Sequence, residues 1–326
     1  MSEPMELSCY TANLVAYLEA GNPDIARDLA AAVRLSVRTD PPEGGLAFSH
    51  HTRVDRDGSG RALAYRGAPD WSEARAALTA ELDRHGRVLL VGNTRFLPWS
   101  PAYERSETPH WLLVQRDADD MWSVRDDFEA LTPHGEQAPY SGQFDDEGLR
   151  RLATPPEGMT PEAANRDRYA LGLPVDLPSP TGYRWLVVTD PETEAETEAE
   201  TGAATDAAAD AEQGAWVHGT APALRCVAER LCADDGALAR HADDVWTASR
   251  HQRHRLALLP AAGDKEAAAA AEAAAAWGEL PRAVRFAIAS AERGRPRRAL
   301  VEKAFTAVLD AVERLEDTKG GTTHDG

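Results

Sequence analysis

The stretch Pro109–Gln115 reads PHWLLVQ, and Met121–Asp127, which reads MWSVRDD, follows it after a short polar segment. Both runs alternate apolar residues over the length of a strand, so together with the acidic turn between them they predict a β-hairpin. His110 would then begin one strand and Asp126 would end its antiparallel partner, at the same end of a sheet. A histidine beside a carboxylate forms an oriented general base.

Cys9 is the candidate nucleophile for that base. Ser8 is a suitable N-cap, and apolar residues recur at helical spacing from Cys9 to Leu18, so the sequence predicts a helix that begins at Cys9. The unpaired N–H groups and the dipole at a helix N-terminus favour an anion, here a thiolate. An isolated cysteine at a helix start is more often structural, but His110 and Asp126 downstream favour a nucleophile.

These three residues have the order of a thiol-based catalytic triad. Thiol catalysis needs a nucleophile, a base and a group that orients the base, and papain-like folds supply them in the order Cys, His, then Asp or Asn. Cys9, His110 and Asp126 occur in that order. Asp127 is the alternative orienting group, and Asp126 is preferred because alternation along the strand places it opposite Arg125.

Candidate oxyanion-stabilising or substrate-binding residues lie in the helix after Cys9 and in the segment before His110. That segment, Gly92–Tyr103, follows a fully apolar run and is rich in aromatic residues and proline, which is typical of a stiff loop shaping a cleft. The alternative is a surface loop held by its buried aromatic residues. The candidates are Asn13, Asn93, Trp99 and Tyr103.

Composition predicts two domains. Residues 1–155 carry mixed strand and helix patterns and residues 156–326 are mainly helical. In the second part, Tyr183–Val188 and Trp216–Gly219 are predicted to form a short hairpin interrupted by an acidic insertion at 190–214. The insertion lacks aromatic and large aliphatic residues, so it is expected to be disordered or weakly helical.

Three further segments carry less specific patterns. Asp24–Val37 has one apolar stripe and is predicted to be a helix, whereas Phe128–Pro139 is predicted to be irregular. The adjacent His50 and His51 would point to opposite faces of a strand and make a poor chelate, so no metal is expected. The basic segment Arg250–Arg255 could bind an acidic partner, but a solvated helix face is the favoured interpretation.

The overall composition limits the possible partners and compartments. The chain has 326 residues, 43% of them hydrophobic, and a formal net charge of −19, which argues against nucleic-acid binding. It contains three cysteines, too few and too scattered for a disulfide framework. Met1–Ser8 does not have the pattern of a signal peptide and no apolar run is long enough to span a bilayer, so a cytoplasmic protein without membrane association is expected.

Five segments of the first half resemble the N-terminal domain of the butirosin biosynthesis protein H family. That family is similar in fold to the C39 cysteine peptidases that process bacteriocins. The segments are Ser8–Leu14, Gly45–Phe48, Leu97–Tyr103, His110–Val114 and Trp122–Phe128. The resemblance implies an α+β protein with a papain-like, C39-like catalytic domain at residues 1–155 and a mainly helical accessory domain at residues 156–326.

The resemblance also implies a reaction and a role for each residue. The family's named member moves an aminoacyl group from a carrier-protein thioester to an amine of an aminoglycoside. This implies a thiol-dependent acyltransferase of antibiotic biosynthesis, with Cys9 as nucleophile, His110 as base and Asp126 as orienting group. Its partners would be an acyl carrier protein with a phosphopantetheine-linked acyl group and a small amine acceptor, with no cofactor. Association of the chain into a homo-oligomer is left open.

Alternatives to acyl transfer stay open. The same triad could cyclise a carrier-bound intermediate or hydrolyse it as a thioesterase or peptidase, and the fold could be a non-catalytic docking module. The peptidases place a glutamine before the cysteine to stabilise the oxyanion, and no glutamine occurs in the eight residues before Cys9. Backbone N–H groups with Asn13 or Asn93 would have to replace it, which argues against proteolysis more than against acyl transfer.

Overall fold

The structure is a computed structural model that describes residues 7–42, 44–116, 121–132, 135–190 and 214–320. It is a mixed α+β protein with about 49% helix and 21% strand and a helical C-terminal region, which confirms the predicted class at that level. No helix in these ranges is both long and apolar enough to cross a membrane.

The chain forms two compact units, and neither is continuous in sequence. The first comprises Met1–Ala26 and Arg53–Gln213, and the second comprises Arg27–Thr52 and Gly214–Gly326. The chain therefore does not divide near residue 155 as predicted, because the strand Tyr183–Thr189 pairs with strands of the first unit. Sequence composition could not reveal that pairing, which joins residues 95 to 127 positions apart.

The first unit is built on one antiparallel sheet of six strands in the order β3-β10-β4-β5-β6-β9. A two-stranded antiparallel ribbon, β7–β8, comes between β6 and β9 in the sequence. Its strands are β3 (Ala62–Ala68), β4 (Val88–Asn93), β5 (Pro109–Arg116), β6 (Trp122–Asp126), β7 (Ala130–Thr132), β8 (Gly135–Gln137), β9 (Tyr140–Phe144) and β10 (Tyr183–Thr189). Its helices are α1 (Cys9–Leu18), α3 (Trp71–His85), α4 (Asp146–Leu152) and α5 (Pro161–Arg168).

Both faces of this sheet are covered by apolar side chains. Residues of β4 and β5 alternate between the faces: Leu90 and Leu112 pack with the α3 cluster, while Val91 and Trp111 pack with the α1 cluster. Burial of each large apolar side chain contributes about 1.5–3 kcal/mol. A strand buried on both sides must be apolar throughout, which explains the unbroken run at Val88–Val91.

The hairpin predicted for residues 109–115 and 121–127 is confirmed. Strands β5 and β6 are antiparallel, with Leu113 opposite Arg125 and Arg116 opposite Trp122. The prediction of irregular structure at Phe128–Pro139 was wrong, because the short ribbon β7–β8 forms there. Strands of three residues are too short to show an alternating pattern.

The second unit has a three-stranded antiparallel sheet, β11-β1-β2, and a helical core. Buried residues of that core include Val37, Phe48, Leu224, Trp277 and Phe305. The strands are β1 (Val33–Arg38), β2 (Ala47–His51) and β11 (Trp216–His218). The helices are α6 (Thr220–Ala233), α7 (Asp235–Arg240), α8 (Ala242–Leu258), α9 (Asp264–Glu292) and α10 (Arg298–Gly320), and α2 (Ile25–Ala32) leads into β1.

Two predictions for this region were wrong. The helix predicted for Asp24–Val37 ends at Ala32, and Val33–Arg38 is a strand whose apolar residues alternate. The predicted hairpin of Tyr183–Val188 with Trp216–Gly219 does not form, because β11 pairs with β1 and β10 belongs to the other sheet. Residues 191–213 of the predicted acidic insertion lie outside the described residues.

Three histidine rings stack inside the second unit. The ring of His251 lies 5.2 Å from that of His50 and 5.9 Å from that of His51, both nearly parallel to it. Parallel rings do not direct their nitrogens at one point, and within the described ranges no group of three or more His, Cys, Asp or Glu side chains could hold a metal. His251 and His254 are buried, so Arg250–Arg255 is not the solvated face favoured from sequence.

Burial lowers the pKa of His251 well below its ordinary value, and its neighbours His50, His51 and His254 lower it further. The unfolded chain therefore binds more protons than the folded chain between the folded-state pKa and the ordinary value of about 6.5. We expect the contribution of His251 to the free energy of unfolding to decrease as the pH falls through this window. Urea denaturation between pH 7.5 and pH 5 measures the effect.

A matched pair of variants isolates the contribution of His251. His251→Gln removes the buried imidazole, and we expect its stability to depend less on pH than that of the unmodified chain. His218→Gln alters an exposed histidine of the same unit and should leave the dependence unchanged. The attribution to His251 is wrong if both variants keep the full pH dependence.

Candidate active site

The N-terminus of α1 carries Cys9. Ser8 caps the helix with a reciprocal pair of hydrogen bonds, in which its side chain accepts from the Thr11 N–H and its N–H donates to the Thr11 hydroxyl. This cap leaves the N–H groups of Cys9 and Tyr10 as first-turn donors that the helix does not use. Cys9 itself is half-buried, forms no disulfide, and packs against the apolar cluster beneath α1.

His110 joins Cys9 to Asp126, as predicted. The His110 Nε2 atom lies 2.8 Å from Asp126 Oδ2, and Cys9 lies near enough to the ring to raise the pKa of His110. Nε2 faces the carboxylate, so Nδ1 is the ring nitrogen that Asp126 does not engage. The ring is buried, and the edge of Phe128 packs against it with the ring centres 5.6 Å apart. The structure therefore brings the three predicted residues together.

Asp126 is a fully buried carboxylate that accepts five hydrogen bonds. Oδ2 accepts from His110, from Trp99 Nε1 at 2.8 Å and from Gln137 Nε2 at 3.0 Å. Oδ1 accepts from Asn13 Nδ2 at 3.0 Å and from the Phe128 N–H at 3.1 Å. Burial alone would raise the pKa of Asp126, but the charge of His110 and these hydrogen bonds lower it, so the carboxylate is ionised.

The charge on His110 follows from its two neighbours. Burial lowers the pKa of an imidazole, but the Asp126 carboxylate and the Cys9 sulfur outweigh burial and raise the pKa of His110 to about 10. The ring is therefore protonated at neutral pH, and Nε2 donates to Asp126.

Asp127, the alternative orienting group, has a different partner. Its carboxylate forms an ion pair with Arg125 at the surface, and only its backbone N–H contacts the site, by donating to Asn13 Oδ1 at 3.1 Å. Asp126 therefore holds His110, as the alternation along β6 predicts.

Asn13 was wrongly predicted as an oxyanion donor. Its amide nitrogen donates both of its hydrogens, to Asp126 Oδ1 and to the Cys9 carbonyl oxygen at 3.1 Å. Its side chain is fully buried between the helix and the carboxylate. Asn13 thus links the nucleophile's helix to Asp126 and has no hydrogen left for a substrate.

Asn93, the other predicted amide donor, has a different environment. It ends β4 opposite Pro109, and its Oδ1 accepts from the Arg95 N–H at 3.1 Å. Its Nδ2 is buried and has no hydrogen-bond partner in the described part of the chain. In the register of the sheet Asn93 follows Val91, which packs in the cluster that includes α1. A buried hydrogen-bond donor without an acceptor destabilises the folded protein unless a ligand accepts the hydrogen bond.

The two aromatic candidates lie in the loop before β5. Trp99 holds the triad carboxylate through its indole N–H, and its ring stacks on Tyr140 with the ring centres 3.9 Å apart. Trp99 is therefore a positioning residue. Tyr103 is half-buried in the same loop, and its role in substrate binding stays a prediction.

Sequence analysis missed Gln137 and a buried ionic cluster behind Cys9. Gln137 lies on the short strand β8, where no periodic signal marks it. In the cluster, Asp167 accepts from the Tyr10 hydroxyl at 2.6 Å and from Arg184 Nη1 at 2.7 Å, and all three side chains are buried. The cluster connects α1 to α5 and β10 at Tyr10, the residue after Cys9.

Compared with models of known protein families and with curated proteins, the chain gives no match to either. The candidate active site is therefore supported by the positions and contacts of Cys9, His110 and Asp126.

The Asp126 carboxylate should control the proton affinity of His110. We expect Asp126→Asn to lower the pKa of His110 well below about 10, because burial is then opposed by Cys9 alone. NMR titration of the histidine ring between pH 5 and pH 10.5 measures it. Asp127→Asn removes the neighbouring carboxylate, which faces Arg125, and should leave the titration unchanged.

The raised pKa of His110 also predicts that the free energy of unfolding decreases at high pH. Because the folded-state pKa of His110 is raised above the ordinary value, its stabilising effect is complete below about pH 6.5 and is lost as the pH rises through about 10. An Asp126→Asn variant whose His110 titrates as in the unmodified chain would contradict this account of the pair.

Proposed function

We propose that the protein is a thiol-dependent acyltransferase with a papain-like catalytic unit, in which Cys9 carries the acyl group. The observation that carries the proposal is the contact series Cys9–His110–Asp126, with a protonated imidazole between sulfur and carboxylate. The order of these residues, the cysteine at a helix start and the other two on antiparallel strands support the papain-like assignment.

In the first half-reaction the Cys9 sulfur attacks the carbonyl carbon of a thioester, such as one on a carrier protein's phosphopantetheine. A C–S bond forms to Cys9, and the C–S bond to the pantetheine sulfur breaks. The departing sulfur takes the proton from His110 Nδ1, which leaves a neutral imidazole and an acyl-Cys9 thioester. The exchange of one thioester for another needs no further reactant.

In the second half-reaction an amine attacks the acyl-Cys9 carbonyl. His110 Nδ1 accepts a proton from the attacking nitrogen as the C–N bond forms and the C–S bond to Cys9 breaks. Asp126 keeps the ring oriented and stabilises its positive charge in both directions. An amide forms, and the Cys9 sulfur and protonated His110 are restored.

The negative charge that develops on the carbonyl oxygen needs hydrogen-bond donors. The free N–H of Cys9 at the helix start supplies one. Asn93 supplies the second through Nδ2, which has no other partner within the described ranges. In this role Asn93 replaces the glutamine that C39 peptidases place before their cysteine.

The donor and acceptor classes follow from the family resemblance and from charge. The resemblance favours a carrier-bound acyl donor and an amine acceptor. The net charge of −19 attracts a cationic amine to the protein. Hydrolysis or cyclisation of the same acyl-Cys9 intermediate would require only a different acceptor.

A covalent intermediate on Cys9 is the first expected result. Incubation with an acyl-S-N-acetylcysteamine thioester should add the mass of the acyl group, and peptide mapping should place it on Cys9. Cys9→Ala should abolish the adduct, whereas Cys226→Ala and Cys232→Ala, which change the other two half-buried cysteines, should keep it.

Addition of an amine then separates the possible reactions. Release of an amide supports transfer, and release of free acid alone at high amine concentration would contradict it in favour of hydrolysis. A Cys9→Ala protein that stays folded and still transfers the acyl group would eliminate the thiol mechanism.

Asn93→Ala tests the oxyanion assignment. Loss of one oxyanion donor typically costs about 10²–10³-fold in rate, and we expect a decrease of that order in acylation of Cys9. Alkylation of Cys9 by iodoacetamide forms no oxyanion, so its rate should change little in the same variant. If both rates fall equally, Asn93 acts on the position of Cys9 and not on the oxyanion.

A further inference from the structure

A cavity lies in the first unit, and none of Cys9, His110 and Asp126 lines it. Its volume is about 520 Å³, which is within the range of small-molecule sites. Tyr17 and Leu18, at the C-terminal end of α1, line it together with Arg87, which precedes β4. Tyr17 is eight residues beyond Cys9, or roughly 12 Å along the helix axis at 1.5 Å per residue.

Arg87 is a half-buried cationic group of the cavity wall, and no described carboxylate forms an ion pair with it. Its guanidinium lies 5.0 Å from the centre of the Tyr17 ring, and its Nε is buried without a hydrogen-bond partner in the described ranges. Tyr17 is a neutral partner, because burial raises its pKa to about 12. A desolvated guanidinium on an aromatic ring is a preferred binding group for planar anions.

The nearby carboxylates are engaged elsewhere. Glu81 accepts from the Val188 N–H at 3.2 Å and lies within 3.8 Å of Arg84. Asp55 is held by the Leu63 N–H and by an ion pair with Arg53. Asp57 is held in the same way, by hydrogen bonds from Ser59 and by an ion pair with Arg61 at 2.8 Å.

The rest of the wall limits the kind of anion. Ile25, Val54 and Val188 supply apolar surface beside Arg87. Helices α1 and α3 both end here, and the partial negative charge of helix C-termini opposes a multiply charged ligand such as phosphate. We propose that this cavity, with Arg87 in its wall, binds a small organic monocarboxylate whose apolar body lies against these side chains.

Calorimetric titration of the full chain tests the proposal with three sodium salts: hexanoate, 3-phenylpropionate and indole-3-acetate. At least one should bind saturably with one-to-one stoichiometry. Its neutral amide should bind at least tenfold more weakly, because the amide cannot form a charge-assisted pair with Arg87. This comparison uses the unmodified chain, so it remains decisive if a variant fails to fold.

Two arginine variants locate the site. Arg87→Met should weaken binding at least tenfold, whereas Arg84→Met, which changes an exposed arginine outside the cavity wall, should not. The proposal is overturned if none of the three salts binds at 10 mM, if the amide binds as well as the acid, or if inorganic phosphate binds more tightly than the acids.

A third variant separates this site from the triad. Cys9→Ala should bind the carboxylate with unchanged affinity, and Arg87→Met should keep the iodoacetamide reactivity of Cys9. If binding is lost in Cys9→Ala and retained in Arg87→Met, the ligand occupies the candidate active site and the cavity proposal fails.

Discussion

The buried carboxylate of Asp126 is the interaction on which the candidate active site depends. It collects donors from a helix (Asn13), a loop (Trp99), a strand (His110) and the short ribbon (Gln137). A buried charge is tolerated only when its hydrogen bonds are complete, so the folded positions of these segments are coupled through one side chain. Removal of one partner of a buried ion pair typically costs about 3–5 kcal/mol.

Helix α1, which carries Cys9, is fixed by two independent polar contacts. Asn13 binds the triad carboxylate on one side of α1, and Tyr10 binds the buried Asp167–Arg184 pair on another. Cys9 precedes both, at the first turn, where the chain would otherwise fray. The Ser8 cap closes the same turn. The sulfur is therefore held by its neighbours in sequence, and its own side chain remains available for chemistry.

Local sequence patterns predicted that Cys9, His110 and Asp126 lie together. They did not reveal which strands distant in the sequence pair with each other. His110 and Asp126 could be placed at one sheet end because a hairpin relates them through a short turn, with apolar alternation fixing the faces. Gln137 lies on a strand too short to carry a period. The strand Val33–Arg38 pairs with Trp216–His218, and nothing local to either segment specifies that partner. The exclusion of Asn13 as an oxyanion donor likewise required its folded contacts.

The electrostatics of His110 give the proposed reaction its direction. The ring holds its proton at neutral pH, since Asp126 and Cys9 together outweigh burial. Acylation converts that sulfur to a neutral thioester and removes one of the two groups that raise the pKa of His110. Burial, which lowers the pKa of His110, is then opposed by Asp126 alone. The ring therefore gives its proton to the departing thiol and becomes a base. The acceptor amine meets a neutral imidazole only while the acyl group is on Cys9, which couples deprotonation of the amine to the presence of its target.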